Sequence, residues 1–214
     1  MREHPIPFNA DMVRAILAGA KTQTRRPLKH QPPEETNFVD MLSGGDGKTF
    51  YAWGPECDRL PNAPTWSCPL GQPGDRLWVR EPGRVVNISQ TEEESVYFTV
   101  EYLADKARRG FHLPERFDPQ ETNVWPSWVK EGRGIPNGIF REAARIHLEI
   151  VNVRVERLED ITIADAQAEG FAGHGAIIPF IQSWERIYGH RGLGCDAKPW
   201  LWVIEFKRTE AHNG

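Results

Sequence analysis

Apolar positions change their spacing several times along the chain, and each spacing predicts an element. Met12, Val13, Ile16 and Leu17 fall on one helix face, with Asn9 or Asp11 placed to cap the start and Gly19 to end the turn. After a Pro-Gly-Asp turn, "RLWVR" alternates, so that Leu77 and Val79 face one way and Trp78 and Arg80 the other. "SVYFTVEY" alternates too, with Val96, Phe98, Val100 and Tyr102 on one side. In "ARIHLEIVNVRVERL" the apolar phase starts with Ile146, Leu148 and Ile150, then shifts to Val151, Val153 and Val155. A parity switch inside one strand predicts a bulge or sharp bend, a device of curved and closed sheets.

Two helices and a strand complete the pattern. "ITIADAQAEGF" opens on Thr162 and Asp165 at capping-box spacing and stops at Gly170. "PFIQSWERIYG" places Pro179 at its first position and Phe180, Ile181, Trp184, Ile187 and Tyr188 on one face. In the last strand, "WLWVIEFK", Trp200 and Trp202 share a face with Ile204 and Phe206, which reads as core ahead of a stacking platform. Two stretches lack any period. Residues 27–73 carry eight prolines and the run "SGGDGK", and residues 105–140 are rich in Gly, Pro and Arg. Both are expected to be long, mostly irregular insertions, the first with room for one short hairpin. The sum is a single α+β domain over residues 1–214, with a curved, barrel-like sheet and a few flanking helices.

Charge narrows the class of partner. With 26 basic and 30 acidic side chains the formal net charge is −4, so any nucleic-acid contact is confined to a local basic patch. Cys57, Cys68 and Cys195 form no C-x-x-C pair, and His174 and His190 near Cys195 match no ligand spacing, so no metal or other cofactor is expected. The start "MREHPIPFNA" has no apolar targeting core and no apolar run is long enough to span a bilayer. The expected compartment is the cytosol, without membrane contact.

Candidate chemistry concentrates in "ILAGAKTQTRR", where an amine, two hydroxyls and two guanidinium groups follow a helix end within six residues, from Lys21 to Arg26. Such a run is either a solvated linker or a site that needs a base, a nucleophile and anion-binding groups side by side. A regular strand would send Lys21 and Thr24 to opposite faces, so their convergence demands irregular backbone. Arg25 and Arg26 are either a solvated face or substrate contacts. Trp78 and Arg80 share a strand face on which a base can stack.

The helix–Gly–"KTQTR" start, the "GDRLWV" strand, the "DITIADAQAEG" helix and the terminal "WVIEFK" strand together resemble the ASCH domain of the PUA-like superfamily. The longer blocks "CPLGQPGDRLWVRE" and "RVERLEDITIADAQAEGF" resemble the ASCH proteins of phages and prophages, and the likeness covers about half of the chain. One branch of that family hydrolyses the amide of N4-acetylcytidine. The resemblance implies a PUA-like barrel, Lys21 as proton acceptor, Thr24 as nucleophile and Glu169 as proton donor, with Arg25, Arg26, Trp78 and Arg80 toward the substrate. The implied activity is removal of an N4-acyl group from cytidine or a related modified pyrimidine nucleoside. Other ASCH and PUA-like members are linked to RNA, so a non-catalytic RNA-binding module and an RNA-cleaving enzyme using the same pocket stand beside it.

The chemistry sets its own conditions. A threonine hydroxyl beside a lysine is activated only if the amine is neutral, which requires burial or a neighbouring positive charge. Glu169 sits at the end of its helix, where the macrodipole disfavours a negative charge, the direction that a proton donor needs.

Overall fold

Five strands form the central sheet, in the spatial order β1 (Glu3–Pro7), β6 (Arg76–Arg80), β10 (His147–Arg157), β11 (Trp200–Thr209) and β2 (Gln23–Pro27). The computed structural model describes residues 1–44, 47–54, 65–90, 96–112, 130–135 and 138–209. Cys57, residues 113–129 of the second expected insertion, and Pro136 and Asn137 lie outside the described residues. The first strand runs parallel to β6, and every other neighbour pair in this sheet is antiparallel.

The expected barrel does not form. The sheet stays open, with β1 and β2 as its edges. The prolines of β1 account for one of them. Phe8 N donates to Arg80 O, so the even-numbered N–H groups of β1 point toward β6. Pro5 and Pro7 fall on the other side, where a closing strand would need donors that proline lacks.

The parity switch is a bulge, as the spacing predicts. Register between β10 and β11 shifts between Ile150 and Asn152, leaving Val151 51% exposed while Val153 and Val155 return to the core. Both faces of β11 are covered. Trp200, Trp202, Ile204 and Phe206 join the main core with Val13 and Ile16 of α1 (Ala10–Leu17). Leu201, on the opposite face, packs with α2 (Ile163–Ala168) and α3 (Ile177–Tyr188) through Ala166, Phe180 and Trp184. Asn9 caps α1 and Thr162 caps α2 in a reciprocal box with Asp165, as expected. The third helix begins two residues earlier than its Pro179 suggested, and the proline fits because its position in the first turn needs no intrahelical N–H bond.

The described parts of the two aperiodic stretches include strands. Residues 27–73 contain a three-stranded sheet, β3 (Phe38–Gly44), β4 (Gly47–Trp53) and β5 (Thr65–Trp66), anchored by Phe50 against Trp202 at 5.1 Å between ring centroids. A second three-stranded sheet joins β7 (Gly83–Gln90), β8 (Val96–Tyr102) and β9 (Arg108–His112), so that the second stretch also begins in a strand. The β9 sequence "RRGFH" has no alternation to read, and its conformation comes from pairing with β8. Among the described residues no helix is long and apolar enough to cross a membrane.

Candidate active site

The turn after α1 decides where Lys21 goes. Gly19 takes a left-handed φ of 73°, and the N–H groups of Ala20 and Lys21 both donate to Ala15 O. Lys21 then forms an isolated antiparallel bridge with Glu169 before the chain enters β2 at Gln23. Thr22 N donates to Ala168 O, and Thr22 O accepts from Phe206 N, so this short link stitches the end of α2 to β11. The irregular backbone that the sequence demanded is present, and Lys21 escapes the alternation of the strand that follows it.

Glu169 closes α2 as its C-cap residue, and Gly170 follows with φ +99°. A Cβ at Gly170 would stand 2.9 Å from Ala15 Cβ and 3.3 Å from Lys21 Cβ. Glycine therefore supplies the turn and also lets the α2 end touch both α1 and Lys21.

Across this contact Lys21 Nζ donates to Glu169 Oε2 at 2.6 Å, to Glu169 O at 3.0 Å and to Gln23 O at 2.8 Å. Three acceptors use all three donors of an ammonium group. Both side chains are buried, with relative exposures of 0% and 4%. Burial lowers the pKa of Lys21 below that of an ordinary lysine; Glu169 opposes the shift, and the Arg26 and Arg25 cations add to it. The positive field anticipated from Arg25 and Arg26 is therefore in place.

Strand alternation sorts the next residues. Gln23 and Arg25 share the face toward α2. Arg25 is buried, not solvated. Its guanidinium donates to Glu156 Oε2 at 3.0 Å and lies 3.4 Å from Asp165 Oδ1 and 3.5 Å from Glu169 Oε1. Gln23 also donates to Asp165 Oδ1, at 3.1 Å. Burial tends to raise the Asp165 carboxyl, but bonds from Thr162 and Gln23 and the nearby Arg25 outweigh it and hold the group well below the usual aspartate range. On the other face Arg26 donates to Thr24 Oγ1 at 3.1 Å and to Pro7 O at 2.9 Å. Thr24 itself is fully enclosed.

Phe8 ties the two faces together. Lys21 Nζ lies 5.5 Å from its ring centroid, and the Arg26 guanidinium carbon 5.3 Å. Nothing in the sequence reading singled out Phe8. A signal was available, since it precedes the N-cap Asn9 and joins Val13 in the core, the spacing of a hydrophobic staple. Arg154, which bonds Asp165, Glu156 and Glu205, also went unread.

Glu169, though buried, borders two recesses that neither Lys21 nor Thr24 lines. It borders a groove of about 280 Å³ between α1 and α3, with Asn9, Met12, Gln182, Ser183 and Arg186. It also borders a void of about 20 Å³ beside Arg25, Phe180 and Trp184, enough for one water molecule. Glu169 Oε1 and the Nε and Nη1 atoms of Arg25 are buried there without a hydrogen-bond partner. Trp78 and Arg80 stand apart from this cluster. The Trp78 indole packs on the core beneath β7 and β8, and the Arg80 guanidinium lies 6.0 Å over it. Of the seven residues expected at the site, Lys21, Arg25 and Glu169 meet directly. Thr24 joins through Arg26, and Trp78 and Arg80 face elsewhere. Comparison of the chain with protein-family models, with curated proteins and with solved structures finds no match.

Proposed function

We propose that this protein is a cytosolic, ASCH-type amidohydrolase that removes an N4-acyl group from cytidine or a related modified pyrimidine nucleoside. The observation that carries the reading is the buried contact of 2.6 Å between Lys21 Nζ and Glu169 Oε2. One proton moved across it turns an ion pair into a neutral amine and a carboxylic acid. Those are the base and the acid that amide hydrolysis needs, and burial already pushes Lys21 toward the neutral form.

The steps then balance. Thr24 Oγ1 attacks the acyl carbon and its proton passes to the Lys21 amine. The C–N4 bond breaks, and the carboxylic acid of Glu169 protonates the departing nitrogen. Water next cleaves the Thr24 ester, giving its proton to Glu169 while Lys21 returns one to Thr24 Oγ1. The products are an amine and a free carboxylic acid, and all three side chains regain their starting forms. Arg26 donates to Thr24 Oγ1 at 3.1 Å, where its charge favours the developing alkoxide. Lys21 and Thr24 are enclosed, so the reading requires the acyl group to reach them past Glu169, which lines the groove.

Incubation with N4-acetylcytidine, followed by chromatography for cytidine, tests the reading. Turnover should fall by about 100-fold or more in Lys21→Ala, Thr24→Ala and Glu169→Gln, each checked for folding by circular dichroism. Absence of cytidine release by the wild type, or full activity in Lys21→Ala, would end it. Tight, steeply salt-dependent binding of single-stranded RNA without turnover would instead identify a binding module.

A further inference from the structure

A second recess lies away from the groove at Glu169. A cleft of about 530 Å³ opens between the end of β1 and the start of β7, walled by Pro7, Phe8, Leu103, Gly134 and Ile135 and by the side of Arg80. Its volume falls within the ordinary range for a small-molecule site, and its lining is mostly apolar. Arg80 is the single charged residue on its wall.

That charge is uncompensated. Among the described residues no carboxylate lies within ion-pair distance of Arg80, and its buried Nε has no hydrogen-bond partner. The acid next to it in the chain is already taken. Glu81 is fully buried in a two-pronged pair with Arg145, both bonds at 2.8 Å, and Asp105 holds the same guanidinium. On the other side of Phe8 a second cation, Arg26, also meets no carboxylate among the described residues; it bonds Thr24 Oγ1 and two backbone oxygens. The N-terminus of α1, entered through Asn9, adds its positive dipole end at the cleft margin. An apolar cavity bordered by one arginine that pairs with no described carboxylate, its guanidinium 6.0 Å over Trp78, selects for a molecule with an apolar body and one anionic group.

We infer that this cleft is a binding site for a small organic anion, with a phosphomonoester or carboxylate head on Arg80 and an apolar ring body against Phe8, Leu103 and Ile135. The inference stands apart from the hydrolase reading, because Phe8 separates the cleft from Lys21 and no reaction is involved.

Binding is measured by amide chemical-shift titration with four probes: phenyl phosphate, benzoate, inorganic phosphate and benzyl alcohol. At least one of the first two should bind, with shifts centred on Phe8, Leu103 and Gly134, and at least about 10-fold more tightly than either half alone. Whichever of the two binds more tightly names the head group. Arg80→Gln should weaken that probe at least about 10-fold. A second variant, Gly134→Leu, fills the space instead of removing the charge; a Cβ there meets only Gly83 O, at 4.0 Å. It should abolish binding while leaving the fold intact. Failure of both anions to bind, benzyl alcohol or inorganic phosphate binding as well as they do, or unchanged affinity in both variants would overturn the proposal.

Discussion

Lys21 Nζ rests 2.6 Å from Glu169 Oε2 although 148 residues separate the two in the chain. Their backbones form a bridge at the same place, so the pair is fixed by main chain as well as by charge. Charges removed from water this completely are costly unless paired, and the site holds Arg25, Asp165 and Glu156 in the same connected set. Four consequences can be measured.

Glu169→Gln strands the Lys21 charge in the interior. Loss of one partner of a buried pair costs about 3–5 kcal/mol, whereas removal of both leaves no orphan. Glu169→Gln should therefore be markedly less stable in urea unfolding than wild type. The double variant Lys21→Met, Glu169→Gln should recover part of the loss. A double variant as unstable as the sum of the two singles would show that the pair is not coupled.

Activity, on the proposed reading, should follow the Lys21–Glu169 pair that holds a single proton. Its pKa is lowered first by burial and further by Arg26 and Arg25, against the pull of Glu169. The active pair holds one proton, on Glu169 with Lys21 neutral, so the rate should fall as rising pH removes that proton, with a midpoint below the ordinary lysine value of 10.5. Arg26→Gln removes a lowering charge and should move the midpoint upward. The same shift makes the folding contribution of Lys21 increase with pH up to 10.5, because the unfolded chain holds the proton more strongly. A rate that keeps climbing over this range would contradict Glu169 as the acid.

Asp165 governs the acid limb. Despite desolvation, its bonds from Thr162 and Gln23 keep the carboxyl below its ordinary value of 3.8. A depressed carboxyl stabilises the fold above that value and loses its contribution as pH falls below it. Asp165→Asn, which also weakens the capping box of α2, should cost about 1–2 kcal/mol at neutral pH. The gap from wild type should close as pH drops through 3.8, and a gap independent of pH would exclude the carboxylate as its cause.

Gly170 and Gly19 separate two reasons for glycine. Both have positive φ, +99° and +73°, but a Cβ at Gly19 meets nothing within 4 Å whereas one at Gly170 would strike Ala15 and Lys21. Gly19→Ala should cost about 1 kcal/mol, the backbone penalty alone. Gly170→Ala should cost at least about 1 kcal/mol more, because α1 and Lys21 must also move. Thermal unfolding of the two variants side by side decides it, and equal losses would mean that the close approach carries no energy.

Local features were legible where local burial sets them. The caps Asn9 and Thr162, the stops at Gly19 and Gly170, the shift of phase at Val151 and the inward Trp200 and Trp202 all follow from which side of one element meets the core. The α+β class follows from their sum. The strand β9, the sheet around Phe50 and the N-terminal strand have no such period; they are strands because a neighbour supplies hydrogen bonds. Closure of the central sheet depended on edge chemistry, and Pro5 and Pro7 remove donors from one edge.

For the candidate site, the sequence determined which groups are available, and the fold decided which of them meet. "KTQTRR" holds an amine, hydroxyls and guanidinium groups whatever the fold, and Glu169 ends its helix by local rules alone. That Arg25 faces α2 and is buried while Arg26 turns to Thr24 and Phe8 depends on the register of β2 against β11. That Lys21 loses its water depends on Gly170 letting the end of α2 approach within van der Waals contact. Burial and pairing are relations between distant segments, and a pattern of spacings along one chain records only the part of them that repeats.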